Sequence, residues 1–317
     1  MLNKIIEHKK REWFQSADCP VKDLIDYMVS NGKLRDTQIK AIESYLFLKI
    51  KGQNKPLWQL FNEGFFINGN VDYRKYAVPY IDAVNFLHEN KIAYALFDFA
   101  LQPNGKSTLL PELVRIILED PASLDYQQII KNIFYNVSYA DYLMSLPMGA
   151  GKTYLMAAFI YLDLYFAHNE PENKNFAHNF LVLIPSGLKS SIVPSLRTIE
   201  NFDPTWVIPN PAASELKRLL KFDVLDEQKS AKRSNKARNP NAQKVNQCLP
   251  NPFGQVFVVN AEKVILNRLE VTKQLEVFEK NEDEKDKREN ELRNLIGKIP
   301  NLSILIDEVH HAATSDI

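Results

Sequence analysis

Leu146-Pro147-Met148-Gly149-Ala150-Gly151-Lys152-Thr153 is the stretch that decides the fold. A short apolar run, residues 142–146, leads into it and predicts a strand. A long apolar run, residues 153–166, leaves it and predicts a helix. Glycine is scarce, at 10 of 317 residues, and two of the ten fall within three residues here. Glycines let the backbone turn tightly and leave its N–H groups uncovered. The helix opening at Lys152 adds its dipole and its unpaired amides. Lys152 can reach the β- and γ-phosphates of a triphosphate, and Thr153 can offer its hydroxyl to Mg²⁺. Gly149, Ala150, Gly151, Lys152 and Thr153 are therefore the candidate contacts to ATP.

A literal glycine-lysine-serine pattern occurs earlier, at Ala100-Leu101-Gln102-Pro103-Asn104-Gly105-Lys106-Ser107. It carries one glycine within a Pro-Asn-Gly turn signal, and Pro111 follows soon after. No strand leads in and no long apolar helix leads out, so the site is read at 146–153 and not at 100–107.

Working outward, the runs 180–184, 255–259 and 302–306 are short, branched-rich and bounded by turn residues. They predict buried strands alternating with helices, hence an α/β fold with a parallel sheet from about residue 139. The run at 302–306 ends in Asp307 and Glu308. In a parallel sheet the C-terminal strand ends line the ligand crevice. Asp307 is placed to help hold Mg²⁺, and Glu308 to orient or deprotonate an attacking water, with Lys152 completing the catalytic set. Upstream, residues 1–138 read as mostly helical. Helices are predicted before Ser30-Asn31-Gly32, from about 34 to 50, and over 79–90, 91–101, 111–119 and 124–136. Residues 217–244 hold nine basic side chains against three acidic and read as a basic surface loop. Residues 267–293 read as a solvated helix of mixed charge inserted at the surface.

Composition excludes several classes. Hydrophobic residues are 45% and charged residues 25%, which is globular and not disordered. Lys plus Arg and Asp plus Glu are both 39, so the chain is not uniformly basic. Two distant cysteines, Cys19 and Cys248, form neither a disulfide scaffold nor a zinc module, and point to a reducing, cytoplasmic compartment. No apolar run reaches the ~18 residues of a membrane helix. His310 and His311 are adjacent and have no metal-ligand partner in the pattern.

PMGAGKT together with DEVHH resembles the superfamily 2 helicases and translocases, the DEAD/DEAH-like group. Within it the chain is most similar to the ATPase subunits of type III restriction enzymes. Arg35-Asp36-Thr37-Gln38 resembles the family's R-x-x-Q segment, which implies that Gln38 reads adenine. FLVLIPSGLKSSIVPSL resembles the next motif, which implies that Pro185, Ser186 and Lys189 meet nucleic acid. QVFVVNAEKV resembles a later one, with Asn260 on the strand-contacting side. His310 is implied to couple the nucleotide state to nucleic acid. The resemblance implies a RecA-like P-loop domain over 139–317, ATP and Mg²⁺ as cofactors, DNA rather than RNA as partner, and a methyltransferase or specificity subunit. The 317 residues stop ten after Asp307. An N-terminal fragment is therefore expected, incomplete at its C-terminus and slow in ATP turnover without a second RecA-like domain. The alternative is a non-catalytic nucleotide- or DNA-binding subunit completed by another chain.

Overall fold

The computed structural model describes residues 2–67, 76, 78–104, 107–147, 149–184, 192–225, 239–250, 252–261, 264 and 291–307. The chain divides into two compact units. One is Met1–Lys22 with Glu43–Ser145, and the other is Asp23–Ile42 with the chain from Leu146 on.

The first unit is helical apart from a two-residue hairpin. Helix α1 (Leu2–Gln15) is followed, past the other unit's α2 (Lys22–Asn31) and the start of α3 (Asp36–Leu46), by a π-helix, Phe47–Lys51. Then come α4 (Leu57–Asn62), α5 (Ile81–Glu89) and α6 (Lys91–Ala100). Strands β1 (Pro103–Asn104) and β2 (Ser107–Thr108) form the hairpin, and α7 (Pro111–Glu119) and α8 (Tyr126–Ile133) complete the unit. Its core is aromatic: the Phe61 ring meets Phe66, Phe99 and Phe134 at 4.9, 5.3 and 5.1 Å. The earlier glycine-lysine-serine pattern falls on the β1–β2 hairpin, whose strands pair antiparallel. Pro111 opens α7, where its missing N–H costs nothing.

The second unit is a RecA-like α/β domain. Helix α9 (Lys152–Asn169) is buried at every residue from Leu155 to Leu164, because it is apolar on all faces. Around it follow β3 (Asn179–Ile184), α10 (Ile192–Glu200), α11 (Ala212–Leu219), β4 (Lys221–Val224), α12 (Pro240–Cys248), β5 (Gln255–Asn260) and β6 (Leu302–Ile306). The sheet order is β4-β5-β3-β6, with every pair parallel. Strands β3 and β5 are fully buried, as apolar runs in a covered parallel sheet should be.

Asn179 sets the register. Its fully buried side chain donates to the carbonyls of Pro252 (2.5 Å) and Pro300 (3.1 Å) and accepts from the Gln255 N–H (3.3 Å). One side chain thus ties the entrances of three strands. Next to it, burial pushes the His178 imidazole below its ordinary value while Asp163 opposes the shift. A neutral ring can accept from the nearby Asn301 amide (3.3 Å).

Two expectations are corrected. Residues 142–146 form no strand, and no regular structure is assigned over 137–147. Their side chains alternate between exposed and half-buried, with Leu143 at 81% exposure, and no described strand pairs with them. Apolar composition alone cannot make a strand without a partner ladder. Within 217–244, read as a basic loop, α11 ends, Lys221–Val224 form edge strand β4, and α12 begins. There the Lys217 ammonium donates to the Phe202 carbonyl and the Lys244 ammonium to the Val224 carbonyl. Most of the charged helix predicted at 267–293 lies outside the described residues, while 291–296 are helical. Among the described residues no helix is long and apolar enough to cross a membrane.

Candidate nucleotide site

Gly151 is the N-cap of α9 and lies in the left-handed region, at φ 78°. Gly149 does too, at φ 74°. The two glycines bracket a tight turn in which the Ala150 N–H donates to the Pro147 carbonyl (3.2 Å). The first i→i−4 bond of α9 runs from the Leu155 N–H to the Gly151 carbonyl (3.1 Å), and no side chain caps the helix. The amides before Leu155 therefore precede the ladder and point out of the helix start. Lys152 and Thr153 occupy its first two positions, both half-buried.

The R-x-x-Q segment belongs to the same unit and lies against this loop. Arg35 is the residue before α3, and its guanidinium donates to the Gly149 carbonyl. Gln38, 5% exposed, uses both ends of its amide. Its oxygen accepts from the Arg35 N–H (2.9 Å) and its nitrogen donates to the Gly151 carbonyl (3.2 Å). The first bond is half of a capping box, with the glutamine at the third helical position. The second reaches across 113 residues to the glycine loop. A Cβ on Gly151 would sit 2.8 Å from the Gln38 nitrogen, so the close approach requires glycine as much as the backbone angle does.

At the sheet's C-terminal ends, Ile184 of β3 is in register with Asn260 of β5, and Leu183 with Ile306 of β6. The Asp307 N–H donates to the Leu183 carbonyl (3.0 Å). Asn260 and Asp307 thus stand on either side of the end of β3. Asn260 is 6% exposed. Met148, Pro185, Ser186, Lys189, Glu308, His310 and His311 lie outside the described residues.

These groups fit a nucleoside triphosphate with a hard cation. Uncapped amides at a helix start, an ammonium and a hydroxyl suit phosphate oxygens. Mg²⁺ takes few protein ligands and keeps phosphate and water oxygens, so one hydroxyl and one carboxylate suffice. Among the described residues no cluster of three or more His, Cys, Asp or Glu could hold a metal by itself.

Two features had no assigned role in the sequence reading. One is the Arg35 contact, whose signal was the arginine of the quoted motif. The other is an aromatic wall beside the loop, in which the Tyr154 ring stacks on Trp206 at 5.6 Å and 5°. The 206 segment is held by Tyr27 and Asn31 of α2, which donate to the Thr205 carbonyl at 2.6 and 2.7 Å. No local pattern announces a pair 52 residues apart.

A glycine loop opening a long buried helix beside a parallel sheet defines an α/β ATPase domain of the RecA-like class. A family model described as the type III restriction enzyme, res subunit, matches residues 123–316, more than half of the chain. The chain belongs to this family, whose members are ATPases of the helicase type that use ATP and Mg²⁺ and act on nucleic acid. No curated protein and no solved structure gives a match to it.

Proposed function

We propose that this chain binds ATP with Mg²⁺ and couples ATP hydrolysis to movement on DNA, as the ATPase subunit of a restriction-type system. The observation that carries the reading is the pair of hydrogen bonds from Arg35 and Gln38 to the carbonyls of Gly149 and Gly151. They join two separate sequence motifs at one loop. Residues 139–317, with the helices around Arg35 and Gln38, form the working domain in this reading.

The residues divide the work as follows. The amides of the loop and of the α9 start, with Lys152, bind and orient the phosphates. Thr153 and Asp307 hold the cation, which supplies charge neutralisation on the phosphates when bound. Glu308 positions the attacking water and accepts its proton. Gln38 holds the loop carbonyl and presents its amide edge toward the adenine side. Asn260, with Pro185, Ser186 and Lys189, meets the DNA backbone, and His310 links the two sites. A methyltransferase-type specificity subunit is the partner this reading implies. Cys19 and Cys248 are free thiols, which supports a reducing, cytoplasmic setting.

The test is nucleotide affinity and DNA-stimulated phosphate release, compared between the wild type and Lys152→Ala. The variant should keep its melting temperature, because Lys152 lies at a helix start and not in the core, and should lose at least tenfold in ATP affinity. Equal affinity in a folded variant overturns the phosphate role. ATP binding with no DNA-stimulated turnover in any assembly would make the chain a non-catalytic subunit.

A further inference from the structure

The helical unit contains an open cleft of about 490 Å³ that the proposed nucleotide site does not use. That volume lies within the range of small-molecule sites. Trp13 and Phe65 line it, and both rings pack on Phe47, at 5.7 and 5.3 Å. Trp13 is 4% exposed, yet its indole N–H meets no acceptor among the described residues. A buried donor without a partner costs on the order of 1–3 kcal/mol unless something else satisfies it.

The backbone beside the cleft is also unusual. The π-helix Phe47–Lys51 ends at Gly52, where a Cβ would meet the Leu48 carbonyl oxygen at 2.5 Å. Gln53 and Asn54 follow, both left-handed without being glycine, at φ 53° and 51°. π-turns and left-handed non-glycine residues each raise the energy of the fold, and both concentrate at ligand-binding positions.

The polar lining selects the ligand. Lys55 and Glu63 are already paired at 2.8 Å. Lys51, Asp18 and the Gln53 amide have no side-chain partner among the described residues. An apolar occupant would bury these groups and the indole N–H unsatisfied. A bare anion would face two carboxylates and gain nothing from the aromatic walls. A flat neutral heterocycle carrying both donors and acceptors satisfies every group. We propose that this cleft is a nucleobase site: the base lies against Trp13 and Phe65, accepts from the Trp13 N–H and pairs with the Gln53 amide. The base comes either from a free nucleoside or from a DNA strand, and only the second source rests on the proposed action on DNA.

Calorimetric titration of the 317-residue protein with the four deoxynucleosides tests the site. These ligands carry no phosphate, so Lys152→Ala should leave their binding unchanged, which separates this proposal from the nucleotide reading. At least one should bind. Trp13→Phe, which keeps an aromatic wall and removes the donor, should weaken it about tenfold. Gln53→Gly, which relieves the left-handed strain, should weaken it without lowering the melting temperature, and it carries the test if Trp13→Phe fails to fold. A folded protein that binds no nucleoside overturns the proposal, and so does binding that neither variant weakens. A single-stranded oligonucleotide carrying 2-aminopurine then identifies the source. Quenching that free nucleoside reverses assigns a strand base, and nucleoside binding without quenching assigns a free nucleoside.

Discussion

Gln38 does two jobs with one amide, and the two can be separated. Its oxygen closes the capping box at the start of α3, and its nitrogen holds the Gly151 carbonyl. Gln38→Glu keeps an acceptor for the Arg35 N–H and suits the helix dipole, so α3 and the melting temperature should be preserved. It loses the donor to Gly151 and sets a carboxylate beside a loop built for phosphates. ATP affinity should fall about tenfold, roughly the value of one lost hydrogen bond plus some repulsion. Gln38→Ala should lose the same affinity and also about 1 kcal/mol of stability, the usual value of a helix cap. If Gln38→Glu binds ATP as well as the wild type, the glutamine is a cap alone. The sequence showed the R-x-x-Q spacing but could not show that its fourth residue would meet a loop 113 positions on. That contact is set by the tertiary fold, not by local propensity.

Elements were legible where burial is two-sided. Strands β3, β5 and β6 announced themselves as apolar runs, and α9 as a long apolar stretch after glycines. Strand β4 was hidden because Lys221-Phe222-Asp223-Val224 is short, charged and half-exposed at a sheet edge. The run 142–146 misled for the opposite reason, since it has strand composition but no neighbour to pair with. The helix predicted to about residue 50 does continue, but its last turn widens: the Gly52 N–H donates to the Phe47 carbonyl (3.0 Å), a π-closure that periodicity does not reveal. Sheet register depends on Asn179, whose three bonds sit in a fully buried site. Asn179→Leu fits a similar volume but leaves two carbonyls and one N–H unsatisfied. Urea denaturation should show a loss of about 2–4 kcal/mol with an unchanged slope. Because the same register aligns Asn260 and Asp307 on either side of β3, surviving protein should also bind ATP less tightly. A loss under 1 kcal/mol would mean that the strand pairing holds its register without this side chain.

At the scale of the molecule, the absence of net charge makes DNA attraction a matter of local patches. The basic stretch 217–244 is the obvious one, and the structure divides it. Lys217 and Lys244 spend their ammonium groups on backbone carbonyls within the fold. Lys229, Lys232, Arg233, Lys236 and Arg238 lie outside the described residues and are the sequence's densest positive run. Counterion release makes the logarithm of affinity fall with the logarithm of salt by about 0.9 per neutralised phosphate. If all five engage duplex DNA, replacing them with glutamine should flatten that slope by about 4 to 5. Replacing Lys217 and Lys244 should leave the slope unchanged while lowering stability, because those bonds hold α11 and α12 in place. Fluorescence anisotropy of a labelled duplex, measured from low to moderate salt, reads both outcomes. A slope that ignores the five-residue change moves the DNA contact off this stretch, to the strand-end residues beside Asn260.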